Sequence, residues 1–557
     1  MKFLLVLTLF TASTLSLNLL GTVAAGPLDL EYSHKWSDTN IVGIDIVAAD
    51  IDGDGITEII SAGISVNSGW EAELRVYSWD GSTFTVEANK VFQIDGEVTV
   101  AYGVDVGDLT GDGNLEIMVT GVYSNGGQDC GWLQVYRWDG SVLALLDTKK
   151  WTALPSGSKA VKVGDLDGDG SNEAITAGYY DDGVVRSLEV MVWSWSSGLT
   201  LEDSEEWAPT DTDNHMPNDL ALGLLEDENK IAVGGQLYDN IDLKTKATLT
   251  VWSYSSSLTL EDSEIWDSDG STYCYGIYVD DDKIYTSGTM YDGSEQNSQF
   301  CVWSWGSITL EDSEEWNEGD FSYAYGVSVL DLDGDGEKEI VTTGYYYDGT
   351  RDYADLKVWN FPTLQITDKD SESWYSVDDT IAWGVYTYDV DNDGVPEILT
   401  CGYSNNAESG QITIWSYPDN TDPVISAFSP SSGSETSDTK PTISATLSDD
   451  FSGIDVDEVT MTVEGVDVTS EATITVTSIS YTPTSDFSEG DVIVTIEVQD
   501  KSGNSETATW TFTVKPPAPG IPGFPLEGLI VGMAVAALAL YLLRKRTTEG
   551  TPIAPLL

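Results

Sequence analysis

Seven short runs ending in glycine recur along the chain at a nearly constant interval, and no other feature constrains the fold as tightly. The glycines of "SAG", "VTG", "TAG", "VGG", "TSG", "TTG" and "TCG" are Gly63, Gly121, Gly178, Gly235, Gly288, Gly344 and Gly402, spaced by 58, 57, 57, 53, 56 and 58 residues. A tryptophan follows each one in an alternating run: Trp79, Trp138, Trp193, Trp252, Trp303, Trp359 and Trp415. A third series, "LTLEDSEEW" (199–207), "LTLEDSEIW" (258–266) and "ITLEDSEEW" (308–316), has looser copies ending at Phe92, Trp151 and Trp374. Its seventh copy, "LDLEYSHKW" at 28–36, precedes all the others. The runs alternate with period two and turn residues separate them, so each repeat reads as about four short strands.

Strands of this size cannot bury a core alone, but stacked radially they share one. The last repeat ends after Trp415 without a fourth strand, and residues 28–36 can supply it. Such overlap closes a ring and leaves no free edge between first and last units. A linear solenoid is the alternative, and the permuted ends argue against it. The expected fold class is therefore all-β, a seven-bladed β-propeller over 27–418 with the N-terminal strand closing the last blade.

An acidic nonapeptide occupies the same place in five blades, the first, second, third, sixth and seventh. The copies are "DIDGDGITE" (50–58), "DLTGDGNLE" (108–116), "DLDGDGSNE" (165–173), "DLDGDGEKE" (331–339) and "DVDNDGVPE" (389–397). Positions 1, 3 and 5 offer side-chain oxygens: Asp50, Asp52, Asp54; Asp108, Thr110, Asp112; Asp165, Asp167, Asp169; Asp331, Asp333, Asp335; Asp389, Asp391, Asp393. Position 7 offers a backbone carbonyl (Ile56, Asn114, Ser171, Glu337, Val395), and position 9 a glutamate (Glu58, Glu116, Glu173, Glu339, Glu397). Such a set supplies the roughly six or seven oxygens that Ca²⁺ prefers. Mg²⁺ demands a stricter octahedron, and transition metals would prefer His or Cys. The expectation is about five Ca²⁺ sites. In the two remaining blades the acids are lost: Leu222 and Leu224 stand at the first two ligand positions of the fourth, and Lys230 and Lys283 replace the closing glutamates.

These residues resemble the FG-GAP/VCBS repeat family, whose calcium-loop propellers include the head of integrin α chains. "YGVSVLDLDGDGEKEIVTTG" (325–344) and "AYGVDVGDLTGDGNLEIMVTG" (101–121) carry the likeness. The resemblance implies recognition or adhesion and, less often, polysaccharide degradation. Thr110 departs from the family pattern. Residues 421–515 resemble a bacterial-type immunoglobulin-like β-sandwich.

The two ends carry their own signals. Residues 1–25 read as a secretory signal peptide. A Pro/Gly linker (516–525), an apolar stretch (526–543) and a short basic tail (544–557) read as a transmembrane helix and a cytoplasmic end. This tail resembles sorting signals of archaeal surface proteins, in which the helix can be exchanged for a lipid. The expected location is the cell surface, as a single-pass membrane protein. With Lys+Arg 24 against Asp+Glu 94, the net charge of −70 excludes nucleic acid as a partner. Cys130, Cys274, Cys301 and Cys401 are scattered and read as buried thiols, with a single bridge left open.

The second-to-third strand connections are rich in tyrosine and acid. Trp132, Tyr180, Tyr238, Tyr291, Tyr347 and Arg351 are the candidate ligand platform for an extracellular glycan or a surface protein. No catalytic motif appears, and His34 and His215 are the only histidines. The expectation is a binding protein, with a polysaccharide-degrading enzyme or a structural envelope component as alternatives.

Overall fold

A computed structural model describes residues 28–548 apart from 37–40, 67–68, 152–154, 210–213, 226–227, 281, 334–336, 362–364, 377, 405–408, 418, 420, 450–452 and 516–525. The expected signal peptide, the linker and the end of the tail lie outside the described residues. The chain divides into two compact units, with the division at Thr421 and Asp422.

The first unit is built from four-stranded antiparallel sets. The first comprises Ile41–Ala49, Glu58–Val66, Trp70–Trp79 and Phe84–Phe92, and the second Thr99–Gly107, Glu116–Asn125, Gln128–Trp138 and Leu143–Trp151. Three more follow the same order, opening at Ser156, Asn214 and Thr272, and the sixth opens at Phe321. Single parallel bridges, Arg186 to Asn214 and Gln296 to Phe321, join the third set to the fourth and the fifth to the sixth. The seventh set takes Ile381–Tyr388, Glu397–Ser404 and Ser409–Ser416 from the end of the unit and Asp29–Trp36 from its beginning. The inner strand of the first set packs against the seventh, which closes the ring.

Alternation along each middle strand sends apolar side chains to both neighbouring blades. Ile59, Ile117, Ala174, Ile231, Ile284, Ile340 and Ile398 are fully buried at one register. Their cross-strand partners are the core aromatics Tyr77, Tyr136, Trp193, Trp252, Trp303, Trp359 and Trp415. Trp79 and Trp138 therefore stand two residues beyond the register of Trp252, and tyrosines fill that place in the first two blades. The spacing of two keeps both rings on one face of the strand, so the sequence series could not separate them.

The second unit contains two β-sheets. One holds Val424–Ser429, Ile443–Ser448, Ser478–Tyr481 and Thr473–Thr475; the other holds Glu435–Thr436, Ser505–Val514, Gly490–Gln499, Thr460–Val463 and Val466–Asp467. Of the immunoglobulin-like expectation, this coarser statement, a two-sheet β unit, is what stands.

The expected fold class and location are corrected at the C-terminus. A helix does form over Leu526–Thr548, yet among the described residues no helix is long and apolar enough to cross a membrane. The uncharged run within it, 528–543, covers about 24 Å at about 1.5 Å per residue, short of a hydrocarbon core of about 30 Å. A single-pass membrane protein is not supported.

Candidate metal loops and the central cavity

Each acidic loop joins the first strand of a blade to the second. Its opening aspartate is wrapped by the backbone that follows. Asp50 accepts the amides of Gly53 (2.8 Å), Asp54 (3.1 Å) and Gly55 (3.0 Å). Asp108 and Asp165 repeat the pattern with Gly111, Asp112 and Gly113 and with Gly168, Asp169 and Gly170. This winding needs left-handed backbone at two positions, which glycine adopts without strain: Gly53 and Gly55 have φ of 75° and 90°. Asn392 takes the first of these places in the seventh blade, with φ of 61°.

The closing glutamate is the fixed point. Glu58, Glu116, Glu173, Glu339 and Glu397 are all buried. Each uses one oxygen, Oε2, to accept the amide of the second loop residue, at distances from 2.8 to 3.1 Å. Burial, opposed by that hydrogen bond and reinforced by the neighbouring aspartates, pushes Glu58 and Glu173 up to about 7 and Glu397 to about 9.

Four loops bring carboxylates together as a metal would need. Asp50, Asp52 and Glu58; Asp165, Asp167 and Glu173; Asp331, Asp333 and Glu339; and Asp389, Asp391 and Glu397 each place one oxygen within 4.8 Å of the others. The third acid does not join these groups. Asp54, Asp169 and Asp393 instead accept the amides of Ile56, Ser171 and Val395 at 2.8 Å, and Asp112 that of Asn114 at 3.1 Å. Glu337 holds position 7 of the sixth loop, whose Asp335 lies outside the described residues.

The second loop departs from the expectation. The guanidinium of Arg137 sits among its oxygens, with Nε 2.9 Å from Glu116, Nη1 2.9 Å from Asp112 and Nη2 2.9 Å from Thr110. The acids of Asp112 and Glu116 thus face a built-in cation. In the fourth and fifth blades Lys230 pairs with Glu228 at 2.6 Å, and Lys283 with Glu311.

The residues of the expected ligand platform differ in exposure. Trp132 is fully buried in the interface between the first two blades, edge-on to Phe92 at 5.5 Å, and lies inside a strand that begins at Gln128 rather than in the connection before it. This is a correction: a side chain without exposed surface cannot contact a ligand. Tyr238 and Tyr291 are exposed, and Tyr180 is half-buried. Tyr347 stacks on Phe321 at 4.9 Å, and Arg351 lies over Tyr375 at 4.7 Å. His215 is buried against Trp207 and bonded to Thr248 at 2.9 Å; burial lowers it to about 3, far from a general base at neutral pH.

A different constellation converges at the axis. Every inner strand carries a β-bulge at the same register, and the bulged residues are Ile44, Tyr102, Lys159, Asn218, Tyr275, Tyr325 and Trp383. A bulge re-aims its side chain, and all seven line one central cavity of about 620 Å³. Tyr325 stacks on Trp383 at 4.1 Å and meets Tyr275 at 5.0 Å. Lys159 lies 3.3 Å above the Tyr102 ring, and burial lowers it to about 8. Asp45, Asp105, Asp219 and Lys162 also line the cavity. Burial alone would lower Lys162, but Asp105, Asp45 and Asp219 hold it above the usual lysine range.

A family model described as FG-GAP-like repeat matches residues 50–119, from the first acidic loop through the second. No curated protein matches the chain. Similar solved structures include BBS1N, from a crystal structure of its complex with ARL6DN (TM-score 0.44, 9% identity, 71% of this chain and 98% of that one). Sqt1 from Chaetomium thermophilum is similar both alone (TM-score 0.41, 9% identity, 70% of this chain and 99% of that one) and bound to the N-terminus of the ribosomal protein L10 (TM-score 0.41, 9% identity, 70% and 100%). The repeat match and the radial four-stranded sheets define a repeat β-propeller protein.

Proposed function

We propose that this chain is a calcium-binding recognition protein whose central cavity receives part of an extracellular glycan or a surface protein. The observation that carries the reading is the ring of bulged residues. Seven separate strands use the same irregularity to aim side chains at one space, and four of those side chains are aromatic. Aromatic faces beside carboxylates, an amide and an ammonium suit a sugar ring or a peptide side chain.

Asp50, Asp52 and Glu58, with their counterparts in the third and seventh blades, would hold calcium. The fit rests on hard oxygen donors, a closing glutamate with its second oxygen turned to the loop, and glycines that let the backbone wrap. Bound calcium supplies a multivalent link among carboxylates that repel one another when bare. The loops and the inner strands are continuous in chain, so stiffening the loops fixes the strands that bear the bulges. The reading is of a binder rather than an enzyme.

Retention of the protein on a polysaccharide panel and on cell envelopes, with calcium or with chelator, tests it. Trp383→Ala and Tyr275→Ala should each cut retention about tenfold or more, as lost stacking of roughly 1.5 kcal/mol would. Retention unchanged in both variants would sink the cavity as the binding site, and a shortened polymer would make the protein an enzyme.

A further inference from the structure

The metal loops differ in one structural detail that the motif does not encode. The outermost strand of each blade also carries a β-bulge, opposite the core aromatic, at a constant register. The bulged residue is Glu87, Glu202 and Glu31 in the first, third and seventh blades, Glu261 and Glu311 in the fourth and fifth, Lys369 in the sixth and Leu146 in the second. A side chain at this place reaches the loop: Lys369 Nζ lies 2.6 Å from Asp333 and 2.8 Å from Glu339.

In four blades the closing residue of the loop meets a side chain of opposite charge, and in three it does not. In the fourth and fifth blades a closing lysine meets a bulge glutamate: Lys230 lies 4.0 Å from Glu261, and Lys283 pairs with Glu311. In the sixth the signs are exchanged, closing Glu339 against bulge Lys369. In the second the bulge is neutral, and Arg137, directly across the strand pair from Glu116, supplies the cation. The first, third and seventh blades have an acid at both places, Glu58 with Glu87, Glu173 with Glu202 and Glu397 with Glu31. There Ser78 and Ser416 lie across from Glu58 and Glu397, and Ser194 follows Trp193, the partner of Ala174, in the third blade. Ser78 and Ser194 donate to Glu87 at 2.8 Å and to Glu202 at 2.5 Å, which holds these extra carboxylates beside the loop.

We infer that Arg137 and Lys369 occupy the cation positions of their own loops, so that the second and sixth blades take no metal and calcium is confined to the first, third and seventh. The inference rests on the calcium reading above and narrows it from five sites to three. A guanidinium or ammonium bonded to the same oxygens must be displaced before an ion can enter. Displacement would leave that charge beside a divalent cation, which opposes binding.

The test counts calcium bound per full-length chain by equilibrium dialysis and elemental analysis. Three ions are expected. Five would overturn the inference while leaving the calcium reading intact, and none would overturn both. Lys369→Glu recreates the acid pair of the first blade and should raise the count to four. Arg137→Ser combined with Leu146→Glu should do the same in the second blade. A count unchanged at three in variants with wild-type circular dichroism would overturn the inference. If neither variant folds, the wild-type count decides alone.

Discussion

The carboxylate of Asp370 accepts the backbone amide of Leu28 at 2.8 Å, joining residues 342 positions apart. The same bond recurs between consecutive blades. Asp147, Asp203, Asp262 and Asp312 accept the amides of Leu199, Leu258, Ile308 and Ile366 at 2.7 to 2.9 Å. The recurring "LEDSE" run is thus an inter-blade staple: its aspartate reaches the start of the next outer strand. Because Leu28 precedes the strand that completes the last blade, Asp370 is the staple on the permuted segment. A hydrogen bond to a charged acceptor is worth about 1.5–3 kcal/mol. Asp370→Ala should lose about that much in urea unfolding and expose residues 28–36 to protease, whereas Asp203→Ala should lose stability without exposing that segment. An unchanged denaturation midpoint in both variants would show that the staples contribute nothing net.

Lys162 in the central cavity balances three acids on three blades. Its ammonium lies 3.8 Å from Asp105, and burial already raises Asp219 to about 7 against the pull of Lys162. Removing the cation as Lys162→Met leaves Asp45, Asp105 and Asp219 uncompensated, and breaking a buried charge set typically costs about 3–5 kcal/mol. The acids can relieve part of that loss by taking protons. The variant should therefore be destabilised strongly at pH 8 and much less at pH 5, measured by thermal unfolding. An equal loss at both values would mean that the cavity is wet enough to screen these charges.

Much of this architecture was legible in the sequence because it repeats. The glycine and tryptophan series located the blades, and the displaced copy at 28–36 located the closing strand. The acids of the loops were visible for the same reason. What remained hidden depends on pairing. Arg137 lies 21 residues from Glu116 and meets it only through antiparallel register. The bulged residues of the inner strands, Tyr102 to Trp383, interrupt the alternation by one position, and a period-two reading smooths over such a slip. The apolar tail illustrates the opposite error: composition points to a span, yet no described helix is both long and apolar enough to make one.

Trp132 separates a packing role from a binding role. It is fully buried beside Tyr136 and Phe92, so Trp132→Ala opens a large cavity and should cost about 3–5 kcal/mol. Tyr291→Ala removes a partly exposed ring and should stay within about 0.5 kcal/mol of wild type. Chemical denaturation distinguishes them. A Trp132→Ala protein of undiminished stability would place this ring outside the core after all.

The closing glutamates link calcium to pH. Burial raises Glu58 and Glu173 from 4.5 to about 7 and Glu397 to about 9. A carboxyl with a raised folded value binds more protons in the native state than in the unfolded chain across that interval. Stability of the calcium-free protein therefore falls as pH rises from about 4.5 through about 7, because the acids ionise while buried and without a counter-ion. Calcium binds the ionised form, so its affinity rises over the same range and its binding releases protons. With chelator present the protein should melt higher at pH 5.5 than at pH 8; with saturating calcium the order should reverse. Glu173→Gln should shrink both the chelator-dependent slope and the calcium response, since the amide neither titrates nor carries charge. Melting temperatures across pH, with and without calcium, check this directly, and a calcium-free protein whose stability climbs steadily from pH 5.5 to pH 8 would refute it.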